Sequence, residues 1–276
     1  MYKDEQVLLA SKHEKERVIR PIFHEKIGCN IVISDFDTDI FGTFTGEVVR
    51  KQNAYDTCVL KAKTAAKECG FCFGIASEGS FGPHPSMPFL PGAQEIMVFV
   101  DLKNNWVIKE DMFTTDTNYR QIVANAETDL EPFLAKVLFP KHALTLQLNA
   151  SKKVIAKGIQ STDTLKDLMQ LGFEQDSELL LGSDMRAMMN PTRMGVLSIL
   201  SLALAERILR SCVQCFAPGF GLLYKEGALP CNSCGAPSSL YQHEVYGCIR
   251  CEHQERRPRQ DGQFSADPRF CNECNP

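Results

Sequence analysis

Cys212-Val-Gln-Cys215, Cys231-Asn-Ser-Cys234, Cys248-Ile-Arg-Cys251 and Cys271-Asn-Glu-Cys274 lie within the last 65 residues of a 276-residue chain. Each is a C-x-x-C knuckle, and eight thiolates match two tetrahedral four-sulfur zinc sites. The stretches between knuckles are 15, 13 and 19 residues long. Sequential pairing closes loops of 15 and 19 residues, both within the zinc-ribbon range. It places Cys212, Cys215, Cys231 and Cys234 on one ion, and Cys248, Cys251, Cys271 and Cys274 on the other. A hairpin over 219–227 then belongs to the first ribbon, and one involving 252–262 to the second. Nested pairing, or a cross-brace in which alternate knuckles share an ion, satisfies the same stoichiometry. A segment this short buries little apolar area, so metal replaces core.

Working outward, the tail divides the chain into a large domain over residues 1–210 and a double zinc ribbon over 211–276. Composition is ordinary for a globular chain, 44% hydrophobic and 23% charged. The net charge of −4 gives no general attraction to nucleic acid or to an anionic membrane. From Ser211 onward six Lys/Arg face seven Asp/Glu. Two four-thiolate zinc sites make the tail more negative still, although Arg250, Arg256, Arg257 and Arg259 form a local basic edge. The ribbons therefore read as structural or as a docking surface for protein, ahead of nucleic acid. The start has no long apolar stretch, and the most apolar run, near Met194–Ala205, is too short to span a bilayer. Thiolate knuckles without an export signal point to a reducing cytoplasm.

Upstream, strands and helices alternate, which predicts an α/β fold with a mixed sheet. Strands are expected over 6–10, 30–34, 71–76, 95–101, 106–112, 143–148 and 153–157. Helices are expected from His13 with Ser11 as cap, over 53–68, 118–126 and 129–137, from Ser161 to Leu171, and over 192–210. Residues 35–47, rich in Gly, Thr and Asp, read as a loop. Cys69-Gly-Phe-Cys72 is a fifth C-x-x-C, but it enters a buried strand and reads as structural rather than redox-active.

Four stretches carry candidate chemistry. Ser11-Lys-His13-Glu-Lys15 lies between a strand and a helix start, where backbone N–H groups and cationic side chains hold anions. The glycine-bounded loop Gly42–Arg50 offers Glu47 and Arg50, and the next helix offers Lys61. Ile75-Ala-Ser-Glu78-Gly-Ser-Phe-Gly-Pro-His84 is expected to end a buried strand in an acidic residue. A carboxylate there, near lysines and arginines, suits Mg²⁺ or Mn²⁺ bound partly through substrate phosphates. His84, held between prolines, is placed either as an acid/base group or as a satisfied turn histidine. Finally Arg186 and Arg193 flank the start of the long helix, a position that suits a phosphate or a planar ligand.

In this order the pieces resemble the inosine-triphosphatase superfamily, in its purine nucleoside triphosphate phosphatase branch. That branch opens with a strand and a Ser-x-Asn-Pro-x-Lys turn, to which Ser11–Glu16 is similar, with His13 at the usual Asn and Lys15 one position before the usual Lys. Gly46-Glu47, the Lys61-Ala62 helix, Gly74–Gly79 and Thr192-Arg193 match later motifs. The resemblance covers about residues 5–210. The whole chain also resembles an uncharacterised bacterial domain family carrying a double zinc ribbon. The resemblance implies a cleft for a nucleotide or other phosphorylated small molecule and a divalent ion. Glu78 would bind the ion, Glu47 would assist it or orient water, and Ser11, His13, Lys15, Arg50 and Lys61 would surround the phosphates. His84, Arg186 and Arg193 would meet the leaving group or the base.

Overall fold

A computed structural model describes residues 1–43 and 45–276. Phe44, inside the glycine-bounded loop, lies outside the described residues. The chain forms two compact units, Met1–Ala205 and Glu206–Pro276.

In the first unit, strand β1 (Gln6–Leu9) is buried at three of its four residues. Helix α1 (Glu16–Ile27) buries Ile19, Phe23 and Ile27, one stripe at fourfold spacing, and ends at Gly28 in the left-handed region. Strand β2 (Asn30–Ile33) returns parallel to β1. Helix α2 (Ala54–Glu68) starts where the Asn53 side chain accepts the Asp56 N–H. Its inward face is small, Cys58, Ala62, Ala65 and Ala66, so it lies close on strand β3 (Phe73–His84). A Cβ added to Gly74 on β3 would come within 2.7 Å of the Ala62 carbonyl.

Strands β4 (Met87–Asp101) and β5 (Trp106–Thr114) complete a sheet of order β2-β1-β3-β4-β5. Its first three strands are parallel and its last three antiparallel, which makes the sheet mixed. The lengths of its pairings are unequal. β3 pairs with β1 only at Gly74 and Ile75, but with β4 all the way to His84. The expectation that the buried strand stops near Ala76 is therefore corrected. The long hairpin partner keeps β3 extended, so Glu78 sits within a strand rather than at its end.

A second, wholly antiparallel sheet has the order β6-β9-β7-β8. It comprises β6 (Gln121–Ala124), β7 (Leu144–Leu148), β8 (Val154–Ile159) and β9 (Leu179–Ser183). The helix expected over 118–126 is strand β6 instead, because Ile122 and Val123 pair with Leu181 and Leu180 of β9. Helix α3 (Glu131–Lys136) and helix α4 (Thr162–Phe173) pack on this sheet; the Ser161 side chain accepts the Thr164 N–H at the start of α4. Helix α5 (Pro191–Leu209) begins where the Asn190 side chain accepts the Arg193 N–H. Among the described residues no helix is long and apolar enough to cross a membrane.

The second unit holds one antiparallel sheet, β10 (Gly221–Glu226), β11 (His243–Gly247) and β12 (Gln254–Pro258), in that order. The two separate ribbon hairpins expected over 219–227 and 252–262 are replaced by this single sheet, with β11 paired to both neighbours. Among the described residues one buried cluster joins Cys212, Phe220 and Tyr246, and Leu229 and Val245 are buried besides, a small apolar core for a unit of this size.

Gly74→Ala is expected to cost about 1–3 kcal/mol, because the added methyl overpacks the α2–β3 contact. Urea denaturation of the two proteins measures it.

Candidate functional site

Beyond Ile75 the β1 side of β3 has no strand partner among the described residues. The turn after β1 fills that place. Ala10 N–H donates to the Ile75 carbonyl, and then the chain bends through Ser11, whose Oγ accepts the His13 N–H. Ser11 is thus a turn residue, not the expected cap of α1. Glu14 takes a left-handed conformation, so the helix starts at Glu16 with Lys15 at its N-cap.

Two lysines take over the unpaired carbonyl of Ser77. Lys15 Nζ donates to it at 3.3 Å and to Ser77 Oγ at 2.8 Å. Lys61 Nζ, from α2, donates to the same carbonyl at 3.1 Å and ion-pairs with Glu78. Arg50 reaches Ser80 Oγ at 3.0 Å and lies 3.8 Å from the other Glu78 oxygen. These groups open onto a cavity of about 370 Å³, also walled by Lys12, His13, Phe81, Tyr119 and Arg193.

Cations outnumber carboxylates on this wall: Lys12, Lys15, Arg50, Lys61 and Arg193 against Asp39 and Glu78. The titrations follow. Burial raises the Glu78 carboxyl, but Lys61, Lys15 and Arg50 outweigh it and hold it below its ordinary value. Burial, with Arg193 and Lys61 nearby, lowers Lys15 to about 7. Burial and the charges of Lys15, Arg193, Lys61 and Arg186 lower His13 to about 3, so its imidazole is neutral at physiological pH.

Arg193 faces the cavity, but its fork is committed. It donates to Glu95 at 2.6 and 3.2 Å and to the Met185 carbonyl, with the Phe81 ring 4.9 Å below it. Gly79 permits this approach, since a Cβ there would lie 2.6 Å from the guanidinium and 2.8 Å from Glu95. Of the ten candidate residues outside the knuckles, Ser11, His13, Lys15, Arg50, Lys61, Glu78 and Arg193 share the cavity wall. Three do not. Glu47 is an exposed partner of Lys157 and Thr45. His84 accepts the Ser86 and Met87 N–H groups and closes the β3–β4 turn. Arg186 grips the buried Asp184. Ser77, which carries no candidate role in the sequence, stands at the centre of the site, contacted by both Lys15 and Lys61.

In the second unit the knuckles pair crosswise. Cys212, Cys215, Cys248 and Cys251 form one cluster, and Cys231, Cys234, Cys271 and Cys274 the other. This corrects the sequential pairing. The β10–β11 and β11–β12 ladders bring the first knuckle to the third, and the Cys231–Ala266 bridge leads the second to the fourth. Sulfur separations of 3.4–3.8 Å within the clusters suit the edges of a tetrahedron with Zn–S near 2.3 Å. They are too long for disulfides. Each set of four thiolates fits a structural zinc ion.

Zinc content separates the pairings. Cys215→Ser with Cys248→Ser damages one site in this arrangement and should leave about one ion per chain after mild chelation. Cys215→Ser with Cys234→Ser damages both sites and should leave almost none. Elemental analysis giving the reverse result would establish sequential pairing.

No curated protein matches the chain. Residues 61–276, from Lys61 on α2 through Ser77, Glu78, Glu95 and Arg193 to all eight knuckle cysteines, match the domain of unknown function DUF6671. The matched stretch is well over half of the sequence, and the chain belongs to the DUF6671 family.

Proposed function

We propose that the chain binds a phosphorylated small molecule, a nucleotide first among them, in the cavity beside β3, and that the zinc ribbons are a structural tail. The observation that carries this reading is the wall itself. Five cations and two carboxylates enclose a polar cavity, where charge-assisted bonds to phosphate oxygens are stronger than in water. Lys61 and Arg50 share one carboxylate, Glu78, so either can turn to a phosphate while the other keeps it paired. The resemblance of residues 5–210 to nucleoside triphosphate phosphatases favours the same ligand class.

Metal-dependent phosphohydrolysis is the activity this reading implies. Mg²⁺ or Mn²⁺ would enter with the substrate phosphates and take Glu78 as its protein ligand, displacing Lys61 toward the phosphates. Glu47 lies on the neighbouring loop and has no part in this step. A second reading, a non-enzymatic module whose ribbons dock a protein, is favoured by Val213, Phe216 and Phe264, which are 68%, 74% and 84% exposed.

Phosphate and pyrophosphate release from standard and deaminated nucleoside triphosphates, with Mg²⁺ or Mn²⁺, tests the hydrolase. Glu78→Gln should abolish release while the melting curve persists. Lys61→Met should weaken nucleotide binding at least about tenfold, the loss of one charge-assisted contact. Binding without release from any nucleotide would favour the docking module, and neither binding nor release would sink the phosphate reading.

A further inference from the structure

Among the described residues, Lys15 is the cavity cation with no carboxylate in ion-pair contact. Lys12 has Asp37 and Asp39, Arg50 and Lys61 have Glu78, and Arg193 has Glu95. Lys15 has only Ser77, through the carbonyl and the hydroxyl. Both residues are buried, at 4% and 2% exposure, yet both line the cavity. Lys15 also occupies the N-cap of α1, where the positive end of the helix disfavours an ammonium. A buried amine beside a serine hydroxyl, facing a cavity, is the geometry of a serine nucleophile with a lysine base.

We propose that Ser77 and Lys15 form a nucleophile–base dyad for phosphoryl transfer. The inference rests on the phosphate reading of the cavity. With Lys15 neutral, the 2.8 Å contact runs the other way and the hydroxyl donates to the amine. Ser77 Oγ attacks phosphorus, its proton passes to Lys15 Nζ, and the Oγ–P bond forms as the bond to the leaving group breaks. The leaving group departs with the electron pair. Water then cleaves the Oγ–P bond; Lys15, having released its first proton to the leaving group, accepts one from water, and Oγ recovers a proton. Lys61 and Arg50 stand where they stabilise charge on the phosphoryl oxygens.

The charged neighbours act on the base from every side: Lys61 on α2, Arg193 on α5, Glu78 on β3, Glu95 on β4 and His13 on its own turn. Burial is the largest cause, with Arg193 and Lys61 adding to it against Glu95 and Glu78; Lys15 loses its proton near pH 7, so the reactive form grows as pH rises through that value.

Diisopropyl fluorophosphate tests the dyad on the full chain without knowing the substrate. Oγ displaces fluoride, and peptide mass spectrometry locates the adduct. The expected result is modification of Ser77, with a rate rising about tenfold per pH unit below 7 and levelling above it. Lys15→Met should slow it at least about 100-fold. If that variant does not fold, the wild-type pH profile decides. An unmodified Ser77, a flat profile, or an undiminished rate in folded Lys15→Met overturns the proposal. Nucleotide binding measured alongside separates the two ideas: binding retained with Ser77 unmodified removes the dyad alone, and a Ser77 adduct with no nucleotide binding keeps the dyad and removes the nucleotide.

Discussion

The mismatch in length between two strand pairings governs the first unit. β3 meets β1 at two residues and β4 along its whole length. A sheet edge interior to a fold cannot leave its carbonyls dry and unpaired, because each unsatisfied group costs about 1–3 kcal/mol. Here the missing strand is replaced by amines. Lys15 and Lys61 donate to Ser77 where a backbone N–H would otherwise stand. The same two contacts complete the sheet and bring positive charge to the cavity. Glu78 and the Arg193–Glu95 pair follow from this arrangement, since they keep that charge from accumulating without counter-ions.

Stability in the second unit has another origin. Three short strands and a small core around Cys212, Phe220, Tyr246, Leu229 and Val245 enclose little apolar surface for a unit of this size. Two sets of four thiolates could supply the deficit by holding zinc, and their crosswise arrangement joins the knuckles through one sheet. Neither ribbon is therefore an independent module, although each knuckle is complete in sequence.

Features set by neighbouring residues were legible in the sequence. The knuckles, the Asn53 and Ser161 helix starts and the small inner face of α2 each depend on chemistry within a few positions. Seven of the ten other candidate residues line one cavity; each residue type was readable locally, but only Glu78 lies on β3, and the others reach it from the β1 turn, the loop before α2, α2 itself and α5. The rest required partners distant in sequence. Residues 121–124 become a strand because of β9, and β3 runs past Ala76 because of β4. Ser77 matters because of lysines 62 and 16 positions away. Knuckle spacing alone admits sequential and crosswise closure alike, and the strand ladders decide between them.

Crosswise closure also sets an order in time. A chain made from its N-terminus cannot complete the first thiolate set until Cys251 exists, nor the second until Cys274. Sequential ribbons would let one ion be captured early, while the rest of the tail was still being synthesised. Here Cys231 and Cys234 would wait as an unfilled pair while the segment that encloses them completes the other set of thiolates. During translation the first unit can therefore fold around its cavity well before the tail acquires any metal.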